Sequence, residues 1–266
     1  MHLAVRGTEL AFDIRGSGRD VVWGHGLSSN RAHEDDLRWF DWARLAAACR
    51  LLRYDARGHG KSGYTNDPTS YSWSELAADQ LALVDALDIG HYVAAGASMG
   101  CGTALHAAVA APDRIDGLLL VVPPTAWETR RERVQMWGEV AALIETQGAD
   151  AFIEAMAAVP LPDPLADEAI WGDAFARNVK ATDLARLAGL FRGAGTADLP
   201  TREQITKITV PTLILAWSGD PAHPLTTAEA LADLLPSAQL SVARTWEDFG
   251  QWTDKALAFL HSLPPF

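Results

Sequence analysis

His91-Tyr92-Val93-Ala94-Ala95-Gly96-Ala97-Ser98-Met99-Gly100-Cys101-Gly102-Thr103-Ala104-Leu105 reads as a short buried strand that turns sharply into an Ala-rich helix, with one serine at the apex. The G-x-S-x-G spacing of Gly96, Ser98 and Gly100 forces Ser98 into a strained turn that lifts its hydroxyl above the end of a sheet. The flanking glycines relieve crowding where any Cβ would clash. The helix that follows sets its first N–H groups and its positive dipole end beside that hydroxyl. Ser98 is therefore a candidate nucleophile, and the alternative is a plain helix cap.

Upstream, residues 2 to 14 alternate as strands do, Arg15 to Asp20 is a turn, and Val21-Val22-Trp23 is a short apolar strand ending in Gly24-His25-Gly26. Arg38 to Ala48 has helical spacing, Arg50 to Tyr54 reads as the next strand, and Asp55 to Gly63 is a glycine-rich loop. Ser74 reads as the N-cap of a helix whose apolar stripe is Leu76, Leu83, Val84 and Leu87, with a stop at Gly90. Downstream, Gly117 to Val122 and Val210 to Trp217 are polar-poor strands, a helix spans about Thr226 to Leu235, and a last strand runs from Gln239 to Ala243. Repeated βα units predict an α/β fold with a mostly parallel, doubly wound sheet and helices on both faces. From 124 to 200 the pattern is helices alone, carrying Trp127, Trp137, Phe152, Trp171, Phe175 and Phe191 and bending at Pro160 to Pro164. This stretch is expected to form a helical cap on a core made of 1–123 and 201–266.

The chain has 266 residues, 48% hydrophobic and 21% charged, which is an ordinary globular composition without a bilayer-length apolar run. A formal charge of −12 and the lack of a basic stripe argue against nucleic acid as a partner. No membrane association is expected. Cys49 and Cys101 are the only cysteines, too few for a disulfide framework or a four-ligand metal site, and both read as buried free thiols. The first residues lack a basic start followed by an apolar run, so a cytoplasmic address is the expectation. No dinucleotide or P-loop spacing is present, and no cofactor or metal is expected. His33-Glu34-Asp35-Asp36 reads as a charged N-terminal turn before a helix rather than a metal site.

Three matches fall in one order: His25-Gly26 after an early strand, Asp55-x-Arg57-Gly58-x-Gly60-x-Ser62 after the next, and Gly96-x-Ser98-x-Gly100. With them the chain resembles the α/β-hydrolase superfamily along essentially its whole length. The resemblance implies a sheet of about eight strands under a helical cap, with Ser98 attacking an acyl or related carbonyl carbon. It also implies an oxyanion hole formed by the backbone N–H groups of Leu27 and Met99, and an orienting acid at Asp220, after the strand ending at Trp217. Asp220 also reads as a cap of the helix that follows.

The resemblance further implies a histidine in the loop after the last strand, yet Ala243 to Trp252 contains none. A serine hydroxyl needs a base to take its proton. His106 lies eight residues into the helix after Ser98, roughly 12 Å along its axis, and His261 falls near the end of the final helix. His25 and His59 sit in loops where rings usually bond backbone, and His2, His33 and His91 have no motif around them. His223, three residues after Asp220, stands at the right end of the sheet and is the candidate base, with a structural loop histidine as the alternative. The resemblance implies one strand between its strand and that of Ser98, about 10 Å at ~4.8 Å per strand. Glu247 or Asp248 is a further candidate, provided burial raised its pKa.

The expectation is thus a serine hydrolase acting through an acyl-enzyme on a small ester, lactone or related carbonyl compound, apolar or aromatic, with a homo-oligomer among the expected assemblies. The alternatives are a non-hydrolytic ligand-binding or sensor protein on the same scaffold, or a lyase or cofactor-free oxygenase.

Overall fold

A computed structural model describes residues 1–265. Eight strands form one sheet: β1 (His2–Val5), β2 (Thr8–Arg15), β3 (Asp20–Gly24), β4 (Arg50–Tyr54), β5 (Tyr92–Ala97), β6 (Ile115–Val121), β7 (Thr212–Trp217) and β8 (Ala238–Ala243), in the order β1-β2-β4-β3-β5-β6-β7-β8. The β1–β2 and β2–β4 pairs are antiparallel and every later pair is parallel, as the repeated βα units predicted. All six residues of β5 and of β7 are buried, which is why these strands carry no charged side chain.

Among the described residues twelve α-helices flank the strands: α1 (Arg31–Leu37), α2 (Trp42–Ala48), α3 (Trp73–Ala86), α4 (Met99–Ala110), α5 (Trp127–Arg131), α6 (Val134–Ala157), α7 (Ala169–Lys180), α8 (Leu184–Thr196), α9 (Arg202–Ile205), α10 (Leu225–Leu234), α11 (Trp246–Gly250) and α12 (Trp252–Ser262). Strand alternation divides the core in two. Val22 and Leu52 pack with Leu83 of α3, Leu105 of α4 and Leu231 of α10 on one face, while Val21, Trp23 and Leu51 pack with Leu45 of α2 and Trp252 and Phe259 of α12 on the other.

Between β6 and β7 the described residues form helices α5 to α9 and no strand. Helices α6, α7 and α8 carry an apolar cluster of their own, built on Ile144, Phe152, Val179, Leu187 and Phe191. Among the described residues no helix is long and apolar enough to cross a membrane.

Three local expectations need correction. The helix read as Arg38 to Ala48 begins at Trp42, because Arg38 turns left-handed at φ 53° and the Asp41 side chain accepts the Arg44 N–H as a cap. Helix α3 is capped by Ser72, not Ser74, so Trp73 joins the core. His33 to Asp36 does not precede a helix but lies within α1, which Asn30 caps by accepting the His33 N–H at 3.0 Å.

Candidate active site

Ser98 follows the last residue of β5 at φ 51°, ψ −109°, a left-handed conformation that costs a non-glycine residue roughly 1–3 kcal/mol. Packing enforces it. A Cβ at Gly100 would come within 2.0 Å of the Gly24 carbonyl oxygen, and one at Gly96 within 2.6 Å of the Gly100 carbonyl carbon. The spacing of the two glycines thus lets β5, β3 and the start of α4 approach at one point, and the turn between them leaves Ser98 at the apex. Cys101 is buried behind it, its thiol donating towards the Val121 carbonyl at 3.1 Å; Cys49 is likewise a buried free thiol.

The loop after β7 reaches this serine. Asp220 Oδ1 accepts the Ala222 N–H at 2.8 Å, closing an Asx turn between Pro221 and Pro224, and the Ala222 carbonyl accepts the Thr125 N–H at 3.1 Å from the segment after β6. The loop is thereby drawn across the end of the intervening strand, and His223 spans the gap. His223 Nε2 lies 2.8 Å from Ser98 Oγ, and Nδ1 lies 2.6 Å from Asp220 Oδ2. Burial raises the Asp220 pKa, but the charge of His223 and the hydrogen bonds from His223, Ala222 and Trp217 outweigh it and hold the carboxyl at about 2, so it is ionised and accepts only. Nδ1 must then carry the proton, which leaves the Nε2 lone pair facing the serine O–H.

His25, in the loop after β3, is fully buried and stays neutral because burial lowers its pKa. Its Nε2 accepts the Ala56 N–H at 2.9 Å, so Nδ1 carries the proton and donates to the Gly26 carbonyl at 2.8 Å. The ring fixes the backbone that leads into Leu27. A Cβ on Gly26 would stand 3.6 Å from the Ser98 Cβ, so this loop lies directly against the serine. The N–H groups of Leu27 and Met99 make no hydrogen bond to another described residue. Asp55 and Arg57 hold the frame: Asp55 accepts the Arg31 and Lys61 N–H groups, each at 3.0 Å, and Arg57 forks onto Asp79 at 2.7 and 2.8 Å.

A cavity of about 450 Å³ opens over Ser98 and His223. Of the six aromatics singled out between 124 and 200, Trp171 and Phe175 line it. Trp137 and Phe152 each pack on Phe191, and the Trp127 indole donates to the Pro200 carbonyl at 3.0 Å. Trp39 and Trp217 also line the cavity, stacked with centroids 5.2 Å apart, and sequence reasoning missed both. It missed the His33 and Glu34 walls as well, although Asn30 three residues ahead of His33 carries the helix-cap signal that locates α1.

The other candidate bases lie elsewhere. Asp248 caps the start of α11 by accepting the Arg244 N–H at 2.9 Å, and Glu247 is exposed. His106 bonds the Asp198 carbonyl at 2.9 Å, His59 the Arg57 carbonyl at 2.9 Å, and His2, His91 and His261 are exposed.

Comparison with known proteins agrees with this fold. The sequence model of a family described as alpha/beta hydrolase fold matches residues 21–255. The chain is 28% identical over 206 residues to 3-oxoadipate enol-lactonase 1 of Acinetobacter baylyi, covering 75% of this chain and 72% of that protein. It is 30% identical over 210 residues to a putative carbamate hydrolase of Agrobacterium fabrum, covering 76% and 75%. The crystal structure of the enol-lactonase from Burkholderia xenovorans superposes with a TM-score of 0.84 at 25% identity, over 98% of this chain and all of that one.

Proposed function

The chain belongs to the α/β-hydrolase family and is a hydrolase on that scaffold, and from this premise we propose that it cleaves a small ester, lactone or related carbonyl substrate through a serine acyl-enzyme. The observation that carries the reading is the unbroken relay from Ser98 Oγ through His223 to Asp220, at 2.8 and 2.6 Å.

Ser98 Oγ attacks the carbonyl carbon as His223 Nε2 takes its proton. Asp220 keeps the ring in the required tautomer and stabilises the imidazolium. The N–H groups of Leu27 and Met99, helped by the positive end of α4, receive the negative charge that develops on the carbonyl oxygen. Loss of one such donor typically costs roughly 3 kcal/mol of barrier. As the tetrahedral intermediate collapses, His223 returns the proton to the leaving alkoxide and the acyl group remains on Ser98. Water then enters, gives its proton to Nε2 and its oxygen to the acyl carbon, and the reverse collapse frees the acid and restores the serine.

Residues 124–200 serve as the lid in this reading, with Trp171 and Phe175 closing an apolar wall over the reacting carbonyl. Apolar or aromatic groups are the fitting substrates, since indole walls exclude water and supply large contact area. The test is labelling by a fluorophosphonate, with the adduct located by peptide mass spectrometry. Label on Ser98 in the wild type, lost in Ser98→Ala and His223→Ala, is the expected result. An unlabelled wild-type protein would overturn the reading.

A further inference from the structure

Two neighbouring side chains on α1 border the cavity, and each has a polar atom without a partner among the described residues. Glu34 is completely buried, and its Oε2 accepts the Trp23 indole N–H at 2.6 Å, while Oε1 has no partner among the described residues. His33 is 8% exposed and its Nδ1 shares a 3.0 Å hydrogen bond with Ser29 Oγ, while Nε2 has no partner among the described residues. Buried polar groups are nearly always satisfied, and a pair left open on one cavity wall is a standing demand for hydrogen bonds. Ser98 lines the same cavity as His33 and Glu34.

The charge of this wall follows from its surroundings. Burial pushes the Glu34 carboxyl up to about 8 against the pull of the Trp23 hydrogen bond and of Arg53. The guanidinium of Arg53 is held by Asp35, at 2.7 and 3.3 Å. Because Oε2 is the acceptor for Trp23, the proton of the neutral acid sits on Oε1 and Glu34 presents an O–H donor. Burial holds His33 at about 4, so its ring is neutral as well. No Lys or Arg is among the described residues lining the cavity, so a carboxylate on the substrate would be desolvated without a counter-charge.

We propose that His33 and Glu34 form a specificity site that selects an uncharged substrate carrying a carbonyl or hydroxyl oxygen besides the scissile group, and rejects one carrying a carboxylate. The proposal rests on the serine-hydrolase reading for the chemistry, but the binding preference it states does not depend on turnover.

The test uses two matched series in which a five-carbon chain is plain, carries a 4-oxo group, or ends in carboxylate. The chain is placed on the acyl side of a p-nitrophenyl ester or on the alcohol side of a butyrate ester, and rates are corrected for spontaneous hydrolysis. In at least one series the wild type should favour the oxo compound over the plain one by about tenfold or more in kcat/KM, with the carboxylate poorest, since a site built for a hydrogen bond discriminates against substrates that leave it unpaired. Glu34→Leu should bring that ratio close to one, and Glu34→Gln, whose amide also donates, should keep most of it. The ratio within one protein cancels any loss of folded enzyme. Calorimetry on Ser98→Ala with the same compounds should show the same order of affinity. Turnover without the preference in either series would overturn the specificity site and leave the hydrolase standing. A binding preference in a protein that turns over none of the esters would support the site and overturn the hydrolase.

Discussion

Trp217 donates its indole N–H to Asp220 Oδ2 at 2.9 Å, and this is the oxygen that His223 Nδ1 meets at 2.6 Å. One carboxylate oxygen therefore carries both bonds, and the last residue of β7 aims the acid that aims the base. The other oxygen is occupied by the Asx turn. Trp217→Phe keeps the ring stacked near Trp39 and Trp252 but removes the N–H, freeing the carboxylate to rotate. It is expected to lower kcat by about tenfold through the misaimed base, with a separate rise in KM reporting the indole's share of the cavity wall. Asp220→Asn, which reverses the tautomer demand on His223, should cost roughly 10³–10⁴ in kcat. Steady-state kinetics on an activated ester separates the two, and equal losses would contradict the shared-oxygen arrangement.

Ser98 and His223 act as one unit if the relay is the catalytic one. Each alanine variant should then lose activity by roughly 10³–10⁶, and the double variant should lose no more than the worse single. Additive losses in this double-mutant cycle would mean that the 2.8 Å contact between them is not the path of the proton.

Much of this site was legible in the sequence, and the unread portion has physical reasons. Gly96, Ser98 and Gly100 announce themselves because only glycine tolerates backbone contact at Gly24, so the steric demand is written at fixed spacing. Asp220 was implied by the family resemblance, which sets an acid after the strand ending at Trp217, with a helix cap as the alternative. His223 was found by elimination, but its reach was open: strand spacing alone leaves about 10 Å to cross, and the crossing depends on an Asx turn and a bond to Thr125 that no periodicity encodes. Helix α1 was missed because four polar residues in a row look like a solvated turn. Glu34 faces the core instead, satisfied on one oxygen by a tryptophan eleven residues earlier.

The contact at the serine turn can be separated from generic glycine effects by a matched pair of substitutions. Gly100→Ala places its methyl within 2.0 Å of the Gly24 oxygen, a clash against backbone that rotamers cannot relieve, and should destabilise by about 3 kcal/mol or more and abolish labelling of Ser98. Gly138 is exposed on α6 with no atom near its added methyl, so Gly138→Ala should stabilise by about 0.5–1 kcal/mol through helix propensity and a less flexible unfolded chain. Urea unfolding of both variants beside the wild type checks the contrast, and a tolerated Gly100→Ala would mean that β3 and α4 are not in contact at the turn.

Glu34 makes a pH signature in stability whose sign can be worked out. Its carboxyl titrates at about 8 in the folded protein and near its ordinary value of 4.5 when unfolded. Between those values the folded state binds a proton that the unfolded state has released, so this group's contribution falls as pH rises, by about 1.4 kcal/mol per pH unit, and levels off above about 8. Glutamine keeps the acceptor for Trp23 without the ionisation. Glu34→Gln should therefore match the wild type near pH 4.5 and exceed it by a few kcal/mol at pH 8, read from urea unfolding at several pH values. A difference that stays constant across this range would mean that Glu34 is ionised in the folded protein. The neutral O–H donor on the cavity wall would then be lost together with the argument for an uncharged substrate.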